Sequence, residues 1–429
     1  MNEKTSDTTG IVGISLLRSS VIYTFSSVIN AAIPFFIMPV LTRVLTPEDY
    51  GIISMQAVIL GIVSPFIGLS VHGSISVRFY DMKKEELARY IGNSFFILFM
   101  STVVVSCLLF IGSRFVSHWT SFPAQWLFSV VVIAFGQFII LIRMILWQCQ
   151  GRPFHFATFQ ILQMVINVGL SVYLIVVERM DWKGRIIAYI VTITLFSIFG
   201  FILLIRSGWI KFNFDRKDIR RGLKFGCPLI PHALGGMLIT QTDRLFITNM
   251  VGIHDTGIYA VGFQIGMIIE ILASSFNRAY VPWLFERLKK EEPAIKLKIV
   301  KLTYKYFLVI FGLAIALAFL APIFIPFFIG KAFGGAVKYI VWIAIGGSFS
   351  GMYYMVANYI FYAGATHLLA LVTFFTATIN VILNYWFIKQ NGAVGAAQAS
   401  TVSFLISFLL TWYLSSRVFD MPWNLKVKD

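Results

Sequence analysis

Apolar runs, each near the ~20 residues that a helix needs to cross roughly 30 Å of hydrocarbon, alternate along the chain with short clusters of Lys, Arg, Asp and Glu. The pattern predicts twelve membrane-spanning helices, over 19–42, 52–77, 90–113, 124–146, 155–177, 186–206, 227–250, 257–282, 304–329, 338–363, 368–388 and 393–416. Between Lys338 and Lys389 no charge interrupts the run, and the break is expected around Gly364-Ala365-Thr366-His367. The first run, Ser19 to Thr42, is too long for a signal-peptide core and has no small-residue cleavage site behind it, so it is expected to be a retained span.

Parts of the pattern recur. Leu45-Thr-Pro-Glu-Asp49-Tyr-Gly51-Ile-Ile returns loosely as Val251-Gly-Ile-His-Asp255-Thr-Gly257-Ile-Tyr, Ile166-Asn167-Val168 as Ile379-Asn380-Val381, and Gly184 as Gly395, all at offsets of about 210 residues. An even number of spans per repeat predicts two parallel six-helix lobes around a central cavity, as in transporters. The expected division is a cytoplasmic segment 1–18, an N-lobe 19–206, a basic linker 207–226, a C-lobe 227–416 and a cytoplasmic tail 417–429.

Composition agrees with lipid as the solvent. Of the 429 residues 58% are apolar and 13% charged, against roughly 45–50% and 25% in soluble domains, which excludes a water-soluble enzyme. The 35 Lys and Arg outnumber the 19 Asp and Glu. If the N-terminus is cytoplasmic, 26 of those 35 cations fall on the cytoplasmic side and 8 on the other, with Arg244 inside span seven. That asymmetry places both termini inside and accounts for the positive charge without nucleic acid. The basic linker, with Lys211, Arg216, Lys217, Arg220, Arg221 and Lys224, reads first as positive-inside anchoring and second as a landing strip for anionic lipid or a diphosphate headgroup. The stretch from Trp283 to Lys305 reads similarly, as an interfacial amphipathic helix.

Charges at membrane depth are costly and mark function. Spans one to six hold no interior carboxylate; span seven carries Asp243 and Arg244, and span eight Glu270. Asp243-Arg244 is either a self-neutralising pair or a phosphate-binding or proton-coupled switch, and Glu270, with no cation three or four residues away, is a candidate proton site. Arg78, Arg143 and Arg278 close spans two, four and eight on the cytoplasmic side; singly they read as snorkelling anchors, together as guanidinium forks around a cavity mouth. No P-loop follows Gly330-Lys331, the six histidines are scattered without metal-ligand spacing, and the three cysteines make no disulfide framework. No cofactor or metal is expected. The paired prolines Pro34/Pro39, Pro228/Pro231 and Pro322/Pro326 mark bends, and those of spans one and seven are hinge candidates.

The chain resembles the polysaccharide-biosynthesis flippases, the Wzx-type O-antigen translocases of the multidrug/oligosaccharidyl-lipid/polysaccharide exporter superfamily. The resemblance rests on Pro39-Val-Leu-Thr-Arg43-Val-Leu-Thr-Pro47-Glu-Asp-Tyr50-Gly51, on Gln150-Gly-Arg152-Pro153, and on Leu223-Lys-Phe-Gly226-Cys-Pro228-Leu-Ile-Pro231 leading to Thr242-Asp243-Arg244-Leu. It runs the length of the chain. It implies a non-enzymatic flippase of the inner membrane that moves an undecaprenyl-diphosphate-linked oligosaccharide from inner to outer leaflet by alternating access. Arg244 is then the match for the luminal arginines that hold the diphosphate, with Arg278, Arg143 and Arg78 as further diphosphate or sugar ligands and Asp243 and Glu270 as ion-coupling residues. Expected partners are the lipid-linked glycan and anionic membrane lipids, with a polysaccharide polymerase and a chain-length regulator as further candidates. The second reading is an ion-coupled multidrug exporter of the same superfamily, some of which use an N-lobe carboxylate that spans one to six lack. An intramembrane glycosyl- or acyltransferase would need a polar cluster that the scattered histidines do not supply.

Overall fold

The computed structural model describes residues 35–290 and 292–425, with the side chain of Ile239 outside that description. Most of the first predicted span, the N-terminal segment, Lys4, Arg18, Pro34, Lys426 and Lys428 therefore lie outside the described residues. Within them every regular element is helical. In chain order these are α1 (Phe35–Val44), α2 (Pro47–Val63), α3 (His72–Asp81), α4 (Lys84–Ile111), α5 (Ser113–Thr120), α6 (Leu127–Cys149), α7 (Pro153–Val172) and α8 (Asp181–Arg206). There follow α9 (Arg216–Gly226), α10 (Leu229–Met250), α11 (Ile253–Gly266), α12 (Ile268–Leu288), α13 (Pro293–Phe328), α14 (Val337–Tyr362), α15 (Thr366–Asn391) and α16 (Ala393–Val418). Nine stretches among the described residues are long and apolar enough to cross a membrane: α4, α6, α7, α8, α11 with α12, α13, α14, α15 and α16. They fall on predicted spans three to six and eight to twelve.

The structure differs from the sequence reading in three places. Span two is two helices, because after Pro65 the chain turns through Gly68, Leu69 and Ser70 at φ of 76°, 48° and 54°, a left-handed path that no α-helix can follow. Trp283 to Lys305 is not a separate interfacial helix: α12 runs on to Leu288 and α13 starts at Pro293, so its apolar positions, Leu284, Leu288 and Ile299 among them, pack into the core of the neighbouring helices. Span eight breaks at Met267 into α11 and α12. The expected break near Gly364 is present, with Gly364 at φ 71° between α14 and α15.

Packing divides the described residues into two units, one of 35–45 and 55–237, the other of 46–54 and 238–425, so that α2 and α10 each contribute to both. In the first unit, α6, α7 and α8 share a core of Ile133, Ile140, Trp147, Phe156, Phe159, Ile193 and Phe196. The linker is clamped to α4. Asp215 caps α9 by accepting from the Lys217 amide at 2.8 Å, the buried Asp218 takes a 2.8 Å bond from Arg89 of α4, and Asn93 donates to the Asn213 carbonyl at 2.9 Å. Its cations Arg216, Lys217, Arg220 and Lys224 stay exposed.

In the second unit α14 is the buried centre, and its small residues Gly346, Gly347, Ser348, Ser350 and Gly351 let neighbouring helices approach. Lipid gives no hydrophobic drive for helix association, so close packing of this kind has to supply it. Thr46 opens α2 with a capping box: its hydroxyl accepts from the Asp49 amide at 3.2 Å, and the Asp49 carboxylate accepts from the Thr46 amide at 3.0 Å, with Pro47 in the first turn. The two copies of the repeated motif pack on each other here. A Cβ on Gly51 would collide with the Ile253 carbonyl and one on Gly257 with the Pro47 carbonyl, while Glu48 meets His254 at 3.3 Å. Pro47 and Ile253, Glu48 and His254, and Gly51 and Gly257 occupy matching places in the motif, so the contact is two-fold in character, each copy offering the other a glycine at one site and a backbone carbonyl at the next.

Candidate functional site

Asp243 and Arg244 lie on α10. Asp243 is fully buried; its Oδ2 accepts from Tyr259 of α11 and, at 3.2 Å, from Ser400 of α16, while its Oδ1 has no hydrogen-bond partner among the described residues. Arg244, 9% exposed, turns elsewhere: Nη1 donates to the Thr240 carbonyl and to Gln241 Oε1, both at 2.8 Å, and the guanidinium sits 4.6 Å over the Phe263 ring. No salt bridge joins the two side chains. Neighbours in a helix point about 100° apart, so each charge is held by its own set of partners.

Glu270, in the first turn of α12, accepts from Tyr354 of α14 at 2.5 Å, so its partner comes from another helix. Arg78 pairs with Asp81 at 3.6 Å, and Arg278 is exposed on α12. Arg143 is 4% exposed, stacks 4.3 Å over Trp147 and reaches Ser207 at 3.5 Å. It faces a groove between α6, α7 and α8 together with Arg152 and Arg206, neither of which was a site candidate in the sequence. The structure thus brings Asp243 and Arg244 onto one helix with separate partners, and groups Arg143 with arginines other than Arg78.

A different face of the same three helices forms a cavity of about 530 Å³ with polar side chains in its wall. Gln160, Gln163 and Asn167 line it from α7, Gln137 from α6, and Tyr189 and Thr192 from α8. Gln137 donates to the Tyr189 hydroxyl at 2.6 Å, and Arg185 Nη1 donates to Asn167 Oδ1 at 2.7 Å and to the Ser171 hydroxyl at 2.6 Å. Three buried polar atoms of these lining residues, Gln160 Oε1, Asn167 Nδ2 and Thr192 Oγ1, have no hydrogen-bond partner among the described residues. Each such group costs about 1–3 kcal/mol if left unmade, and buried polar groups are nearly always satisfied by something. Amides and hydroxyls offer donors and acceptors without charge, and Ile140, Leu141, Met144 and Met164 complete the wall with apolar surface. That mixture suits a ligand rich in hydroxyls with apolar C–H faces, and the volume is that of a small-molecule site.

A scan of the charges misses this cavity because none of its six polar lining residues is ionised. The available signal was spacing: Gln160, Gln163 and Asn167 stand at i, i+3 and i+7, one stripe of a helix that lipid would otherwise solvate.

The comparisons with known proteins converge. An uncharacterized membrane protein of Haemophilus influenzae is 26% identical over 358 residues, 82% of this chain and 85% of that protein. Among solved structures, an inward-facing multidrug resistance MATE family transporter of the MOP superfamily superposes with a TM-score of 0.72 at 12% identity, covering 94% of this chain and 97% of that one. Lipid II flippase MurJ in an inward closed conformation gives 0.70 at 16% identity, covering 93% and 87%. The fold is therefore the all-helical membrane fold of these transporters, and neither solved relative is an enzyme. Residues 16–288 match the family described as polysaccharide biosynthesis protein, and with nearly two thirds of its length inside that match the chain belongs to the polysaccharide biosynthesis protein family.

Proposed function

We propose that this protein is a flippase that carries an undecaprenyl-diphosphate-linked oligosaccharide, the repeat unit of O-antigen or another surface polysaccharide, from the inner to the outer leaflet of the inner membrane by alternating access. The observation that carries the reading is the amide-lined cavity of α6, α7 and α8, with its three unpartnered buried polar atoms in a chain of this family. A sugar headgroup cannot enter hydrocarbon without losing its hydrogen bonds, and this wall supplies replacements at depth. In this reading Arg244 carries the diphosphate, Arg278 and Arg78 assist it, and Asp243 and Glu270 couple transport to an ion.

The multidrug-exporter reading draws on the MATE likeness. Against it, no carboxylate lines the amide cavity of α6, α7 and α8, and a cationic drug would find only uncharged side chains there. Deleting the gene tests the choice. The expected result is loss of a surface glycan and build-up of its lipid-linked repeat unit on the inner leaflet, restored by the intact chain. Normal surface glycan together with gained drug sensitivity would reverse the assignment.

A further inference from the structure

The groove that receives Arg143 has a composition that the flippase reading leaves unused. It measures about 850 Å³ and is lined from α6, α7 and α8. Its walls are apolar along most of their length, with Leu162, Ile166, Leu195 and Phe199 all between 36% and 54% exposed in the protein alone. At one end three guanidinium groups gather, Arg143 from the last turns of α6, Arg152 from the residue before α7 and Arg206 from the end of α8, with His155 and Ser207 beside them. None of the three arginines has a salt-bridge partner among the described residues, and the charge of Arg152 acts on Arg143 with no acid between them. Arg143 is 4% exposed, and its buried Nε has no hydrogen-bond partner among the described residues. A buried cation beside like charges is unfavourable unless an anion completes the site.

An anion with an apolar tail satisfies both halves of the groove. We propose that this groove is a binding site for an anionic diacyl phospholipid, whose phosphate sits among Arg143, Arg152 and Arg206 and whose acyl chain lies along Leu162, Ile166, Leu195 and Phe199. Basic pockets between helices at the cytoplasmic ends of spans take such headgroups, and the excess of cations places this end of α6, α7 and α8 on the cytoplasmic side. Arginine suits the role, since its fork meets two phosphate oxygens at once, and stacking on Trp147 holds the Arg143 guanidinium in place. The occupant is a membrane lipid and not the transported glycan: apart from Thr158 the tail wall has no polar side chain to meet a sugar, and the amide cavity opens on a different face of α7. Arg143 then serves lipid binding, a different assignment from the diphosphate role expected from sequence. This proposal does not depend on the identity of the cargo.

The test is native mass spectrometry of the purified full-length protein, titrated with phosphatidylglycerol, with phosphatidylcholine, with inorganic pyrophosphate and with undecaprenyl diphosphate. Retention of one phosphatidylglycerol in preference to phosphatidylcholine is expected, with no displacement by pyrophosphate. Arg152 and Arg206 are exposed, so the double variant Arg152→Gln/Arg206→Gln keeps the fold and should weaken phosphatidylglycerol retention about 30-fold. Leu162→Trp, which fills the tail wall and leaves every charge in place, should weaken it as well. Equal retention in the wild type and both variants would overturn the proposal. Displacement by pyrophosphate would make the site a free-anion site, and displacement by undecaprenyl diphosphate at lower concentration than by phosphatidylglycerol would return it to the substrate; either also overturns it.

Discussion

At the scale of single residues the informative side chains are those whose polar atoms the protein only partly satisfies. Asp243 receives two donors on one oxygen and none on the other. Removing the Tyr259 hydroxyl in Tyr259→Phe leaves only Ser400 to serve a fully buried carboxylate, so a loss of about 1–3 kcal/mol is expected, read as a lower thermal midpoint in detergent. Arg244→Ala should abolish surface polysaccharide while membrane abundance stays normal; normal glycan on the variant would remove Arg244 from the site. Gln163→Leu keeps the volume of the amide cavity and removes the side-chain amide with its two N–H donors and its acceptor oxygen, so glycan export should fall about fivefold at unchanged protein level. Glu270→Gln should weaken any dependence of transport on a proton gradient in vesicles, and unchanged sensitivity would retire the coupling role. The ionised residues were visible in the sequence as charges inside apolar runs. Their partners were not, because Tyr354 lies 84 positions from Glu270 and Ser400 lies 157 from Asp243.

At the scale of elements, hydropathy located the apolar helices well because lipid imposes the same requirement on each: enough apolar length, with backbone bonds closed inside the segment. It misread the second span for a related reason. Average hydropathy over 52–77 does not register a left-handed turn at Gly68 to Ser70. The repeated motif was legible as a recurrence, but its purpose was not. Its two glycines lie where each copy presents a backbone carbonyl to the other, so Gly257→Val should lower the thermal midpoint and folded yield by the few kcal/mol typical of overpacking. Gly252→Ala, one helix turn away with open space around it, tests backbone strain alone at φ 137°. If Gly257→Val melts no lower than Gly252→Ala, the crossing is not tight.

For the whole molecule, the lipid solvent was written in the order of residue types. Apolar runs of spanning length and repeats some 210 residues apart need no tertiary contact to be read, since bilayer thickness acts on the chain segment by segment. Which polar side chains share a wall was settled only by helix packing. Gln137, Gln160 and Tyr189 are far apart in the chain, carry no charge and meet because three helices with interlocking apolar faces bring them together. Packing likewise set Arg143 beside Arg152 and Arg206 and gave Asp243 and Arg244 separate partners. Rotation of a helix about its own axis decides such neighbours, and in lipid that rotation depends on close contact with the next helix, which a linear pattern of apolar and polar positions does not contain.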